Sequence, residues 1–201
     1  CLPESWPPTR DSDALVGDWP ILYVGRLART DRRKGLEMVI AAVKSLRDRE
    51  VPVTLNVVGD GDDRARLQGL ATSAGLGDES VRFLGTLDPV ALETCYRSAR
   101  LFVMPSAKEG FGLVFLEAMK YGVPCIGGRH GGTPEVFRDG EEGLLVDYGD
   151  VEQLAAAIAV LHADPERLAE MGANAKRRFE SDYRFPSFVA HWQALLNEVA
   201  A

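Results

Sequence analysis

From residue 20 onward the chain alternates short apolar runs with segments of helical periodicity, and this alternation constrains the fold more than any other feature. Short continuous apolar runs are typical of strands that are buried on both faces of a parallel sheet. They are Ile21–Gly25, Val53–Val58, Val81–Leu84, Leu101–Met104, Val123–Ile126 and Gly143–Val146. The predicted helices are Gly35–Arg49, Asp62–Ala74, Pro89–Ser98, Gly112–Tyr121, Pro134–Phe137, Asp150–His162, Pro165–Ser181 and Pro186–Ala200. The pattern predicts an α/β fold: a doubly wound parallel sheet of about six strands, helices on both faces and extra C-terminal helices.

Length and composition set the domain count and the class of partner. The chain has 201 residues, of which 46% are hydrophobic, and this suits one domain with a full core. Its opening contains Pro3, Pro7 and Pro8, so residues 1–18 are expected to form an extended linker and residues 19–201 the domain. We expect a piece of a longer protein. The net charge of -7, with scattered acids, argues against a nucleic-acid partner.

The cysteines and the hydropathy pattern indicate the compartment. Three cysteines lie far apart, and two of them, Cys95 and Cys125, fall in segments expected to be packed. Buried free thiols point to a reducing compartment. Because no apolar run approaches the roughly 18 residues of a membrane span and no signal pattern is present, we expect a cytoplasmic protein. No spacing of His, Cys and carboxylate matches a metal site, so neither metal nor cofactor is expected.

The segment from Pro105 to Ala118 is the first candidate for a binding site. It leaves the strand ending at Met104 as a loop with Gly110 and Gly112 and then opens a helix. Glycines let an anion approach the backbone, and the free N–H groups of a helix start attract phosphate. Glu109 lies in the loop, near the group that is attached to the phosphates. Glu117, one turn into the helix, suits the vicinal hydroxyls of a ribose or hexose; a purely structural cap is the alternative.

Basic residues after the first strand supply the charge that such a ligand needs. Arg26 directly follows that strand, and Lys34 directly precedes Gly35 and the next helix. An acidic protein that binds a diphosphate needs fixed cations beside it. The neighbouring Arg29, Arg32 and Arg33 are interpreted as solvated surface residues.

Two further loops follow strands at the same predicted edge of the sheet. In Gly59-Asp60-Gly61 the aspartate is expected to cap the next helix. In the loop from Gly85 to Pro89, the backbone around Leu87 is a candidate lining for a base-sized slot. Ligands of doubly wound sheets bind beyond the carboxyl ends of the strands, where these loops open.

A series of short motifs in chain order resembles the retaining glycosyltransferases of family 4. The match runs from about Ile21 to the end of the chain, and each motif lies at a predicted element boundary. The motifs are Val24-Gly25-Arg26-Leu27, Lys34-Gly35, Val58-Gly59-Asp60-Gly61, Phe83-Leu84-Gly85, Pro105-Ser106, Glu109-Gly110-Phe111-Gly112, Glu117-Ala118-Met119, Gly131-Gly132-Thr133-Pro134-Glu135-Val136, Asp139-Gly140, Gly143-Leu144-Leu145-Val146 and Gly149-Asp150. The resemblance implies one half of a GT-B fold, namely the C-terminal, Rossmann-like domain that binds the nucleotide-sugar donor.

The resemblance also implies roles for individual residues. Arg26 and Lys34 match the basic pair that neutralises the leaving diphosphate, Glu109 matches the acid near the transferred sugar, and Glu117 matches the ribose ligand. Gly110, Phe111, Gly112 and Leu113 match the loop whose main chain meets the donor phosphate and sugar. Leu87 and Val114 complete the predicted substrate-binding residues. One departure is that seven residues separate Arg26 from Lys34, more than is common in the family. Either the loop bulges, or Arg32 or Arg33 takes the place of Lys34.

The implied activity is transfer of a sugar from a nucleoside diphosphate to an acceptor hydroxyl with retention of configuration and without a metal. The implied partners are the donor and an N-terminal acceptor domain. Any peripheral association with a membrane would occur only through that N-terminal domain. The isolated fragment is expected to be inactive. A stand-alone nucleotide-sugar binding module and a GT-B sugar-nucleotide epimerase relative stay open as alternatives. A dinucleotide oxidoreductase is disfavoured, because no Gly-x-Gly-x-x-Gly turn follows the first strand.

Overall fold

The structure is a computed structural model that describes residue 15 and residues 17–184. The predicted helix Pro186–Ala200 lies outside the described residues, as does nearly all of the predicted linker 1–18. The described part contains an α/β domain, which agrees with the alternation of the sequence.

The part of the chain that the structure describes is built on one six-stranded sheet in the order β3-β2-β1-β4-β5-β6. Every neighbouring pair is parallel. The strands are β1 (Pro20–Val24), β2 (Thr54–Val58), β3 (Val81–Gly85), β4 (Leu101–Met104), β5 (Cys125–Gly128) and β6 (Gly143–Val146). The predicted bounds of β4 and β6 are confirmed. Because the chain moves outward in both directions from the central pair β1 and β4, the two strands form the topological switch point of the sheet.

Within the described residues, seven α-helices cover the two faces of the sheet. They are α1 (Leu36–Asp48), α2 (Arg64–Ser73), α3 (Pro89–Ser98), α4 (Leu113–Lys120), α5 (Thr133–Val136), α6 (Val151–Ala163) and α7 (Pro165–Arg178). Helix α1 packs against α2 and α6, and α4 packs against α7. Tyr96 of α3 stacks on Tyr121, which directly follows α4. With right-handed crossovers, α1, α2 and α6 therefore cover one face, and α3, α4 and α7 the other.

Aromatic side chains fasten α4 to the sheet beneath it. Phe102 of β4 meets Phe115 of α4 edge-on, with ring centroids 5.4 Å apart. Phe115 in turn meets Phe137, which directly follows α5, at 5.3 Å. All three rings are fully buried. This packing fixes where the N-terminal end of α4 lies relative to the end of β4.

Strand β5 lies two residues further along the chain than predicted. The prediction Val123–Ile126 left Gly127 and Gly128 in a loop, whereas both residues pair with neighbouring strands. A side chain has no room there, because a Cβ on Gly128 would lie 1.9 Å from the carbonyl oxygen of Ser106. These glycines therefore reflect close packing rather than a turn.

Helix α7 ends three residues earlier than the predicted Pro165–Ser181. It stops at Arg178 and is followed by a π-helical turn over Phe179–Tyr183. In this wider turn the Tyr183 hydroxyl donates a hydrogen bond of 3.0 Å to the carbonyl oxygen of Glu135. A guanidinium nitrogen of Arg178 donates to the same oxygen at 3.1 Å. The turn thus ties α7 to α5.

Aspartates begin several of the helices. Asp88 directly precedes Pro89, the first residue of α3, and its side chain accepts hydrogen bonds from the N–H groups of Val90 and Ala91. Asp150 caps α6 by accepting from the Gln153 N–H at 2.8 Å. The predicted cap at Asp60 is wrong. Its carboxylate accepts from the Gly61 N–H and from Arg64, each at 2.7 Å, and α2 begins after Asp63 instead.

Candidate functional site

The candidate site lies at the carboxyl edge of the sheet, where the connections after β1 and β4 leave in opposite directions. Between such connections a doubly wound sheet forms a crevice that binds ligands. The connection after β1 carries Arg26 and Lys34, and the connection after β4 carries Glu109 and residues 110–112. The two groups predicted from the sequence therefore arise from adjacent strands.

The residues between Arg26 and Lys34 form a 3-10 helix over Arg29–Lys34. This helix joins the loop after β4 through a hydrogen bond of 2.8 Å from the Ala107 N–H to the Arg33 carbonyl oxygen. Gly35 has a φ of 82°, and a Cβ there would lie 2.6 Å from the Pro105 carbonyl oxygen. Both neighbours of Lys34 thus touch residues 105–107. The bulge in the connection therefore brings Lys34 to the loop after β4.

Asp31 links the two predicted cations. Arg26 Nε donates to Asp31 Oδ2 at 2.7 Å, while the Arg26 side chain is 70% exposed. The hydrogen bond from Arg26 is the largest cause that holds the pKa of Asp31 below its usual range, and the charges of Arg26 and Lys34 add to it. The same contact raises the pKa of Arg26. Asp31 was missed from the sequence because the 3-10 helix that presents it was not predicted.

Arg32 is engaged elsewhere, at a nearly buried carboxylate. Asp63 accepts hydrogen bonds from Arg32 at 3.3 Å and from Arg66 at 2.5–2.8 Å, and Arg66 also bonds Glu37. The hydrogen bonds from Arg66 are the largest cause that depresses the pKa of Asp63, and those from Arg32 contribute further. This network fixes the 3-10 helix against α1 and α2. It also occupies Arg32, one of the two alternatives to Lys34 for the second cation.

Glu109 is held by its backbone in the crevice. Its backbone forms a parallel bridge with Gly131, and its carbonyl oxygen accepts from the Gly132 N–H at 2.9 Å. Oε1 accepts from the Gly110 N–H at 3.3 Å, whereas Oε2 is buried and has no hydrogen-bond partner. An unpartnered buried carboxylate oxygen costs free energy that a hydroxyl donor would recover.

Tyr23 lies near both Glu109 and Asp31. It lies in β1, is 1% exposed and points toward the carboxyl edge, where its ring approaches Gly25. Burial is the largest cause that raises its pKa, and the charges of Asp31 and Glu109 raise it further. Both carboxylates therefore act on one phenol at the end of β1. In the sequence, Tyr23 is distinguished only as part of an apolar strand.

The start of α4 presents backbone N–H groups and apolar side chains. The helix begins after Gly112, which has a φ of 70° and gives no side-chain cap to the first turn. On either side of this glycine, Phe111 is 52% exposed and Leu113 is 65% exposed. The next residue, Val114, is half-buried against the core. Uncapped N–H groups beside exposed apolar side chains suit a ligand with both phosphate and carbon-rich parts.

Glu117 lies one turn into α4, with its side chain exposed toward α3. Its Oε2 accepts a hydrogen bond of 2.7 Å from the hydroxyl of Tyr96 in α3. The predicted ribose ligand thus already has one partner within the protein, and no local pattern in the sequence indicated this contact.

Leu87 lies apart from the other predicted site residues. It follows β3, the edge strand, and is half-buried against the core. Two strand spacings, about 10 Å, separate β3 from β1. That separation is comparable to the reach of a nucleoside from its phosphates.

Within residues 17–184, no cluster of three or more His, Cys, Asp and Glu side chains is arranged to hold a metal ion. None of the described helices is both long and apolar enough to cross a membrane. Cys95 and Cys125 are buried free thiols, as predicted.

Comparison with known proteins identifies the family. The family model of the glycosyl transferases group 1 matches residues 9–178, which is most of the chain. This chain belongs to that family. One relative is the GDP-mannose-dependent alpha-(1-6)-phosphatidylinositol monomannoside mannosyltransferase of Mycolicibacterium smegmatis, which is 38% identical over 164 residues. The match covers 78% of this chain and 42% of that protein, so the group 1 chain described here spans less than half of the relative's length.

Solved structures share the fold of this group 1 domain. The C-terminal domain of the group 1 protein LpcC from Francisella tularensis superposes with a TM-score of 0.75 at 28% identity, over 84% of this chain and 88% of that one. Anabaena HepE in complex with UDP and glucose superposes with a TM-score of 0.76 at 26% identity, over 92% of this chain and 49% of that one. The expected fold, a Rossmann-like domain of a GT-B glycosyltransferase, is confirmed.

Proposed function

We propose that the chain is the donor-binding, C-terminal domain of a glycosyltransferase that moves a sugar from a nucleoside diphosphate to an acceptor hydroxyl. The observation that carries this proposal is the convergence of Arg26, Lys34 and Glu109 with the uncapped start of α4 at one switch point. The likeness to a GDP-mannose-dependent relative and to a structure that holds UDP supports it.

In this proposal the pyrophosphate lies between the basic pair and the first turn of α4. Lys34 supplies a point charge beside the loop after β4, and Arg26 turns from Asp31 toward the phosphates. The N–H groups near Gly112 complete the site. Arg26 is exposed and its ion pair with Asp31 is a surface contact, so the exchange of partners costs little.

The carboxylates and apolar groups bind the two ends of the donor. Glu117 accepts hydrogen bonds from the ribose hydroxyls, and the backbone around Leu87 lines the slot for the base. The buried Oε2 of Glu109 accepts from a hydroxyl of the transferred sugar and so gains the partner that it lacks in the free protein. Phe111, Leu113 and Val114 contact the sugar and close the site against water.

The chemical task at this site is to stabilise charge on the departing diphosphate as the sugar becomes cation-like. Fixed cations and helix N–H groups do this without reorganisation, and loss of one such donor typically costs about 3 kcal/mol of transition-state stabilisation. Neither a metal nor a cofactor is part of the proposal. We propose that configuration is retained and that the acceptor binds to an N-terminal domain. A cytoplasmic location is proposed from the two buried free thiols.

Isothermal titration calorimetry of the purified chain with GDP, UDP and ADP tests the proposal. We expect measurable binding of at least one diphosphate, and about tenfold weaker binding for Arg26→Ala and for Lys34→Ala, because each removes a charge-assisted contact. Arg167→Ala is the matched control, since it removes the same charge at the exposed start of α7, which lies toward the opposite edge of the sheet. The proposal fails if no diphosphate binds, or if Lys34→Ala and Arg167→Ala bind equally well.

A further inference from the structure

Tyr96 is a rigid residue in the wall next to the candidate site. It lies in α3, is 2% exposed, and packs against rings on two sides. Its ring stacks on Tyr121 with centroids 6.1 Å apart and an interplanar angle of 19°, and it tilts against Phe102 of β4 at 6.0 Å. Packing of this kind leaves a side chain few rotamers.

The hydroxyl of this ring is the part of Tyr96 that reaches outward. It donates to Glu117 Oε2 at 2.7 Å, across the gap between α3 and α4. Burial is the largest cause that raises the pKa of Tyr96, and Glu117 raises it further. The phenol therefore keeps its proton at neutral pH and is the donor of this hydrogen bond.

Glu117 would otherwise be free to move. It is an exposed side chain on the surface of α4, and a glutamate loses substantial rotamer entropy when it is held in one geometry. The nearby cations of α3 and α4 face elsewhere: Arg97 and Lys120 lie over the ring of Tyr121 at 4.7 and 4.9 Å. Tyr96 is thus the buried neighbour that fixes the carboxylate.

We propose that Tyr96 is a positioning residue that orients Glu117, so that the carboxylate meets both hydroxyls of the donor ribose. With one lone pair of Oε2 taken by the phenol, Oε1 and the remaining lone pair of Oε2 are left to accept hydrogen bonds from a ligand. A vicinal diol can donate to both oxygens of a carboxylate held in this way. Tyr96 itself touches no substrate, and its effect passes entirely through Glu117.

This inference rests on the proposed function, and its specific consequence is selectivity for ribose over deoxyribose. The test measures affinities of the 201-residue chain for ADP, GDP and UDP, for their 2′-deoxy counterparts, and for inorganic pyrophosphate. We expect the wild-type chain to favour the ribose form about tenfold, since a hydrogen bond to a charged group is lost in the deoxy form. Tyr96→Phe keeps the ring and lowers this preference to about threefold or less, while the affinity for pyrophosphate stays unchanged.

Two further variants separate positioning from general damage. Tyr121→Phe removes a hydroxyl from the neighbouring stacked ring, which interacts with Glu93 and Lys120, and it keeps the full ribose preference. Glu117→Ala abolishes the preference, and adding Tyr96→Phe to it changes nothing more, because the two residues act as one unit.

The outcomes distinguish this inference from the proposed function. If the wild-type chain binds pyrophosphate and diphosphates but Tyr96→Phe keeps the wild-type ribose preference, the positioning role is overturned while the phosphate site stands. If no nucleoside diphosphate binds at all, both are overturned.

A measurement on the wild-type chain covers the case in which Tyr96→Phe does not fold. With tyrosine labelled with ¹³C at Cζ, the Tyr96 signal, one of five in the sequence, shifts with the ribose diphosphate and much less with the deoxy form or with pyrophosphate. Equal shifts with all three ligands overturn the inference.

Discussion

The close contact between Gly35 and Pro105 holds Lys34 at the candidate site, and the stability cost of Gly35→Ala measures that contact. Gly35→Ala places a side chain on a residue with a φ of 82°, a conformation that costs an L-residue about 1–2 kcal/mol. The new Cβ also lies 2.6 Å from the Pro105 carbonyl oxygen, a backbone atom that moves only with the loop. Overpacking of this kind typically costs about 1–3 kcal/mol.

Two other glycines separate these contributions. Gly140 has the same φ of 82° but nothing within 4 Å of its Cβ position, so Gly140→Ala shows the backbone cost alone. Alanine also reduces the entropy of the unfolded chain, which returns about 0.4–1 kcal/mol. Gly69 lies inside α2 with open space around it, so Gly69→Ala stabilises the helix by about 0.5–1 kcal/mol.

Urea unfolding of the three variants gives the comparison. We expect a loss of about 1 kcal/mol for Gly140→Ala and about 2–4 kcal/mol for Gly35→Ala, and a small gain for Gly69→Ala. If Gly35→Ala loses no more than Gly140→Ala, the contact with Pro105 does not exist as described. Lys34 is then not held beside the loop after β4.

Two predictions concern buried polar groups. Asp63→Asn lowers the free energy of unfolding at pH 7 by about 2 kcal/mol, because two guanidinium groups lose their charged acceptor. The hydrogen bonds from Arg66 and Arg32 hold the folded-state pKa of Asp63 below its usual range. This stability is therefore present above about pH 4, the ordinary pKa of an aspartate, and is lost as pH falls toward the folded pKa. The free energies of unfolding of the wild type and of Asp63→Asn, measured by urea titration, should therefore converge in acid. A difference that stays constant with pH contradicts this prediction. The control is Asp48→Asn, at an exposed ion pair with Lys44, which costs about 0.5 kcal/mol or less. Burial raises the pKa of the Cys95 thiol to about 11 and raises that of Cys125 as well. Peptide mass spectrometry after alkylation at pH 8 should therefore find both thiols modified only in denaturant. Rapid modification of either thiol in the native protein would refute their burial.

The strand–helix alternation predicted most of the fold because each segment carries its own signal. The apolar run Leu101–Met104 and the helix Pro89–Ser98, with Asp88 and Pro89 at its start, match their predicted bounds because strand hydropathy and helix caps are local properties. Strand β5 was placed two residues early because Gly127 and Gly128 carry a turn signal locally. Only the approach of Ser106 explains why glycine stands in that strand.

The candidate site was predictable only in part for the same reason. Residues at strand ends, such as Arg26 and Glu109, can be assigned to one edge from the order of elements alone. Contacts across elements cannot be read from a local pattern, so the sequence did not indicate that Asp31 bonds Arg26 or that Tyr96 reaches Glu117, 21 residues away. Asp60 was mistaken for a cap because Arg64, its actual partner, lies on the helix that it was expected to start.

The central claim is that a nucleoside diphosphate binds at the carboxyl edge between β1 and β4. Amide chemical-shift mapping of the ¹⁵N-labelled chain, titrated with GDP, UDP or ADP, tests it most directly. We expect saturable shifts concentrated in residues 110–114 and 26–35, with weaker shifts around Leu87. Saturable shifts at the amino ends of the strands instead, or no shifts with any of the three nucleotides, would contradict it.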